Sequence, residues 1–189
     1  MSMEKNEQEL VLRAQENPVH FAPLYDHYFP KIFNYIYHKV NNKQLAEDLV
    51  SETFYKALAN LHRFEWQKRS FACWLYTIAR NQVIDSYRKQ NPVFLDGSEE
   101  ELPSPVSENP EEMVLRNVTR EELLELIRTL SQDQQDALLL RFQEELKIKE
   151  IAQILNKNEG AVKALMFRGL KKLRQKLERR DEDEKATYG

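Results

Sequence analysis

The densest recognition chemistry in this sequence of 189 residues lies between Lys157 and Arg180, where 9 basic residues stand against 2 acids, a net of +7. Val162, Met166, Gly169, Leu173 and Leu177 form an apolar stripe along one side of a helix. At about 100° per residue, Ala164, Phe167, Arg168, Lys171, Arg174 and Gln175 then fall on the opposite side. Lys163 and Lys172 sit on the flanks. Guanidinium and ammonium groups donate to phosphate and to guanine, and an apolar ring can meet a thymine methyl. Ala164 is small enough to allow close approach to a base edge. A helix with that face reads as one that enters a DNA groove. The weaker alternative is a solvated basic face.

Two further groups of residues lie in the amino-terminal half. Asp48 and Glu52 are four apart and share a helix edge, where like charges repel mildly. A basic partner would account for them, although on spacing alone plain solvent exposure is the stronger reading. The segment from Arg63 to Ser70 carries Phe64, Trp66, Lys68 and Arg69. Aromatic and basic side chains on one loop suit single-stranded nucleic acid, in which bases stack and phosphates pair. Taken alone, the same aromatics read more readily as folded into a core.

These groups must be positioned by helices. Apolar spacing predicts helices over about 6–16, 19–40, 42–61, 70–90, 112–129, 132–143, 147–155 and 159–179, and alternating strand-like runs are few. The fold class is therefore all-α. Asn17-Pro18 and Asn109-Pro110 read as helix starts, and Ser131 as a cap for the helix after Leu130. Pro23 and Pro30 threaten the continuity of the second helix. In the third, Leu45, Leu49, Phe54, Ala57, Leu58 and Leu61 can face a core. Phe71, Trp74, Leu75, Ile78 and Ala79 form a packing face on the fourth. Ile148, Ile151, Ala152 and Leu155 form one buried stripe on a short helix. The turn Asn156-Lys157-Asn158 and a helix from Glu159 complete a helix-turn-helix pattern.

Between Asn91 and Glu112 the composition changes. Pro92, Pro103, Pro105 and Pro110 fall there with seven acids, and no Lys or Arg occurs between Lys89 and Arg116. Such a stretch predicts an extended acidic linker between two small domains. The net charge of −3, which on its face argues against a nucleic-acid binder, divides unevenly. Residues 1–89 carry +2, residues 90–115 carry −7 and residues 116–189 carry +2.

Other chemistries find little footing. Cys73, the only cysteine, leaves no disulfide framework or cysteine-rich zinc site, and beside Trp74 it reads as a buried structural thiol. His20, His27, His38 and His62 are scattered, with no metal-ligand spacing. With 4 Gly and no phosphate-loop or nucleophile-elbow motif, neither cofactor nor catalytic set is expected. No apolar run is long enough to span a bilayer and no signal peptide is evident, which predicts a cytoplasmic protein.

Three segments together resemble the extracytoplasmic-function (group IV) sigma factors of the sigma-70 family: AEDLVSETFYKAL at 46–58, SFACWLYTIARNQVIDSYRK at 70–89, and LSQDQQDALLLRF with IKEIAQILNKNEGAVKALMFRGLKKLRQKL between 130 and 177. The resemblance covers about residues 10–179. It implies a region 2 helical bundle over 1–90, a linker over 91–111, a region 4 helix-turn-helix over 112–180, and an acidic tail over 181–189 with no assigned role. Asp48 and Glu52 would meet a basic coiled coil of core RNA polymerase. Phe64, Trp66, Lys68, Arg69, Asn81 and Arg88 would bind the melted −10 element of promoter DNA, with a flipped base near Asn81. Lys163, Ala164, Phe167, Arg168, Lys171 and Arg174 would bind the −35 duplex. The family often has hydroxyl or guanidinium donors where this chain has Ala161, Ala164 and Leu165. An anti-sigma factor, often membrane-bound in the family, is a further implied partner, and no stable homo-oligomer is expected. The competing readings are a free-standing helix-turn-helix regulator with an amino-terminal ligand-binding or dimerisation domain, and an enzyme with an attached DNA-binding domain.

Overall fold

The computed structural model describes residues 3–90 and 119–188, with side chains placed for 7–90 and 119–180. The helical starts at Asn109-Pro110, the 91–111 linker and residues 112–118 lie outside the described residues. No strand occurs among those described. The chain divides into two compact units, Met1–Phe94 and Leu95–Gly189.

The first unit holds α1 (Met3–Glu16), α2 (Ala22–Val40), α3 (Lys43–Asn60) and α4 (Phe71–Gln90), with short 3-10 turns at Pro18–Phe21 and Leu61–Arg63. Asn17 caps the first turn by accepting from Val19 N–H at 3.1 Å, so α2 begins at Ala22 and not at 19. Pro23 falls in the first turn of α2, where no backbone donor is needed. Pro30 lies inside the helix, yet α2 runs unbroken to Val40. Proline removes one local hydrogen bond. Tyr28, Ile32, Tyr35 and Ile36, all buried, hold the helix on both sides of that gap. The reversal into α3 uses Asn41 at φ 49°, whose N–H donates to Tyr37 O at 2.8 Å, and Asn42, which accepts from Leu45 N–H at 3.0 Å. α2, α3 and α4 pack on one another around Leu24, Tyr35, Leu61, Phe71, Leu75 and Tyr76. Cys73 is buried in that core. The expected inward face of α3 is narrower than its pattern: Leu58 is exposed and Leu45 half-buried.

The second unit holds α5 (Arg120–Arg128), α6 (Gln132–Phe142), α7 (Ile148–Leu155) and α8 (Glu159–Tyr188). The expected helix over 112–129 is corrected at its amino end. Thr119 is extended and caps α5, its hydroxyl accepting from Glu122 N–H while the Glu122 carboxylate accepts from Thr119 N–H. Ser131 occupies the cap position of α6, but its hydroxyl makes no capping bond. Gln135 ties the α5–α6 corner instead, donating to Arg128 O at 3.1 Å and Leu130 O at 2.9 Å. α8 continues past the expected end at 179 as far as Tyr188, because no Gly or Pro interrupts that segment. The backbone over 181–188 is thus helical and continuous with α8.

Candidate nucleic-acid interface

The helix-turn-helix is built by two local devices and one longer-range tie. α7 ends at Asn156 in the left-handed region, φ 53° and ψ 47°, and Lys157 N–H donates back to Ala152 O at 2.9 Å. Asn158 then caps α8, its side-chain oxygen accepting from Ala161 N–H at 2.7 Å. Across the unit, the Lys157 ammonium lies 3.3 Å from the Asp133 carboxylate at the start of α6. Both side chains of this pair are largely buried, so it ties the turn to the helix beneath it.

α8 packs against α5, α6 and α7. Its buried residues are Val162, Leu165, Met166, Gly169, Leu170 and Leu173. Leu165 and Leu170 were absent from the expected stripe. Leu165 is therefore a packing residue and not a lost DNA donor. Gly169 allows the close approach: a Cβ there would stand 3.1 Å from a methyl of Leu138. The outward arc carries Lys163, Lys171 and Arg174, which are exposed, and Ala164, Phe167 and Arg168, which are half-buried. The six expected −35 residues thus share one face, with Arg174 also 2.8 Å from Glu178.

In the first unit a cleft of about 470 Å³ lies between α3, α4 and the 61–70 connection. That size suits a small organic group. Arg69 and Asn81, both expected, line it together with Lys56, Asn60, Arg63, Trp74, Ile78, Gln82 and Asp85. Amide groups on Asn60, Asn81 and Gln82 can donate and accept toward a base edge. Three cations against one carboxylate favour a phosphate chain across the cleft. Lys56 also lies 3.5 Å from Glu52.

The loop itself corrects the sequence reading. Phe64 is only 6% exposed, with its ring centroid 5.1 Å from Trp74, 5.8 Å from Phe71 and 6.0 Å from Trp66. It is a core residue and presents no face for stacking a base. Trp66 is half-buried and borders a smaller cavity with Gln8, Val11, Leu12 and Gln15. Lys68 is exposed and bonds Glu65 at 2.9 Å. Arg88 is exposed at 4.0 Å from Asp85. None of these four is among the residues lining the cleft. The sequence reading missed Lys56, Asn60 and Arg63, which recur at helical spacing along the end of α3 and the 3-10 turn that follows it. Their signal lay in that polar stripe and in its counterpart Ile78, Asn81, Gln82 and Asp85. Knowing that the two stripes face each other requires the packing of α3 on α4.

Asp48 and Glu52 are exposed along α3. Tyr55, 69% exposed, lies one turn further along the same face. Among the described residues, no helix is long and apolar enough to cross a membrane.

The fold is all-α in two units, the second built on a helix-turn-helix. Residues 24–93 match the family model for sigma-70 region 2, and residues 120–173 match that for sigma-70 region 4. The chain is 40% identical over 173 residues to the ECF RNA polymerase sigma factor BldN of Streptomyces coelicolor, covering 87% of this chain and 63% of that relative, so it spans less than two thirds of the latter's length. It is 32% identical over 164 residues to the RNA polymerase sigma factor YlaC of Bacillus subtilis, covering 86% of this chain and 94% of the relative. The sigma factor RpoE of Bartonella quintana, solved in complex with the anti-sigma factor NepR, shares the fold with a TM-score of 0.64 and 23% identity, over 84% of this chain and 96% of that one. The chain belongs to the sigma-70 family of RNA polymerase sigma factors, in the extracytoplasmic-function group.

Proposed function

We propose that this chain is an alternative sigma factor that binds core RNA polymerase and directs promoter-specific initiation. The observation that carries the reading is the pairing of two sites in one chain. One is a cleft of amides and cations sized for a base, and the other is a helix-turn-helix with a basic outward arc. Residues 1–90 take the polymerase and the unpaired −10 strand, 112–180 take the −35 duplex, and the acidic 91–111 segment connects them. Asp48 and Glu52 meet a basic surface of the polymerase. Arg69 and Asn81 hold the flipped −10 base, whose extrusion costs a few kcal/mol that the cleft must offset. Lys163, Ala164, Phe167, Arg168, Lys171 and Arg174 face the −35 major groove. The work is binding and strand separation, with no covalent step, and its place is the cytoplasm. An anti-sigma partner completes the proposed set of partners.

Reconstituted transcription tests this. Core polymerase with the full chain should start RNA at discrete genomic sites. Specific footprints by the free chain with no such transcripts would favour a free-standing regulator. Asp48→Lys with Glu52→Lys should weaken core binding and leave the duplex contact of α8 unchanged. Equal loss of both would contradict the assigned roles.

A further inference from the structure

α1 (Met3–Glu16) precedes the residues matched by the region 2 model, yet its last turn reaches the loop that borders the cleft. The Gln15 amide nitrogen donates to Leu61 O and to Phe64 O, both at 2.9 Å. Leu61 O also accepts from Phe64 N–H at 3.0 Å. One primary amide, with two hydrogens, therefore closes both ends of the 3-10 turn Leu61–Arg63. Arg63 leaves that turn into the cleft, and Arg69 enters the cleft from the far end of the same loop. Between them, Phe64 is packed into the core and Trp66 rests beside Gln15.

We infer that Gln15 is a positioning residue for the single-strand site. By clamping Leu61 and Phe64 it holds Arg63 and Arg69 at the cleft edge, so α1 tunes recognition of unpaired DNA without touching it. The inference rests on the cleft being the −10 site. Without the donor, Phe64 O loses that bond and Leu61 O keeps only the one from Phe64 N–H, and the loop gains freedom to seek water.

Gln15→Met keeps the length and removes the donor. The test uses holoenzyme assembled from core polymerase and the full chain. The probe is fork DNA with an unpaired non-template strand, taken from start sites mapped with the wild-type holoenzyme. Gln15→Met should lower fork affinity about tenfold, because only part of the loss of the two hydrogen bonds is transmitted to the cleft. Affinities for core polymerase and for a −35 duplex should stay unchanged. Trp66 and Trp74, the chain's two tryptophans, both pack at this loop, so their emission should shift to the red at temperatures where the far-ultraviolet dichroism stays native. Fork binding equal to wild type would overturn the inference, as would equal losses toward fork, duplex and core. Asn81→Ala separates the two levels. If it weakens fork binding and Gln15→Met does not, only the inference fails. If neither weakens it, the cleft reading falls and takes the inference with it.

Discussion

Phe64 sits in a loop whose composition suits base stacking, and its burial assigns it to the core. Phe64→Ala separates the two roles. The ring is 6% exposed and has three aromatic neighbours with centroids at 5.1–6.0 Å. Transfer of a buried phenyl ring is worth about 1.5–3 kcal/mol, and the cavity left beside rigid rings raises the cost to about 3–4 kcal/mol. A unit of this size is stable by roughly 5–13 kcal/mol, so the variant should fold with a much smaller margin. Phe64→Leu should cost only about 1 kcal/mol, because most of the volume is kept. Urea denaturation followed by tryptophan emission is the assay, since both tryptophans lie in this unit. A cost below about 1 kcal/mol for Phe64→Ala, together with a selective loss of single-strand binding, would refute the packing argument and return the ring to the DNA.

Lys157→Met removes one partner of a largely buried pair, so the second unit should lose about 2–3 kcal/mol. Adding Asp133→Asn should restore part of it, and an additive double variant in dichroism-monitored unfolding would contradict the coupling. Gly169→Val places a branched side chain where a Cβ alone would stand 3.1 Å from Leu138. Its cost should be about 1–2 kcal/mol, overpacking outweighing the gain in helix propensity, and a higher melting temperature would show that α6 yields. Glu122 is held down from 4.5 to about 2 by the Arg180 hydrogen bond first, then by the Thr119 backbone and hydroxyl bonds. A depressed carboxylate stabilises the fold above its unfolded value. That contribution is present above pH about 4.5 and is lost as pH falls toward about 2. Glu122→Gln should therefore flatten the pH dependence of the second unit's melting temperature across that window, and an unchanged slope would place the acid sensitivity elsewhere.

The helix-turn-helix was legible because its signals are local. A four-residue apolar stripe, an Asn-rich turn and a second stripe each act within a few residues. α2 was less legible. Proline rules describe the cost at Pro30 but not the aromatic face that outweighs it. The buried state of Phe64 was ambiguous for a similar reason, since a ring among charges fits either a stacking loop or a capped core. The cleft was half-legible. Arg69 and Asn81 carried a resemblance, whereas Lys56, Asn60 and Arg63 acquire meaning only once α3 lies against α4.

The packing of α8 constrains how promoter sequence can be read. Buried residues from Leu165 round to Leu170 occupy an arc of roughly 140° of its circumference, and the six candidate DNA residues occupy a similar arc opposite. Within that outward arc there are two tiers. Lys163, Lys171 and Arg174 are exposed, as suits contact with phosphates. Ala164, Phe167 and Arg168 lie half-buried, held more firmly by their surroundings, as suits contact with base edges. Changes in the first tier should then alter affinity and its salt dependence across all sequences, and changes in the second should alter which sequence is preferred. Arg168→Ala should cost about 1–3 kcal/mol at the preferred −35 sequence and much less at a scrambled one. Lys171→Ala should weaken both alike and reduce the salt slope by about 1. Titration of the holoenzyme on the two duplexes at several salt concentrations measures both effects. The reverse assignment, with Lys171 selective and Arg168 uniform, would refute the division of this face by exposure.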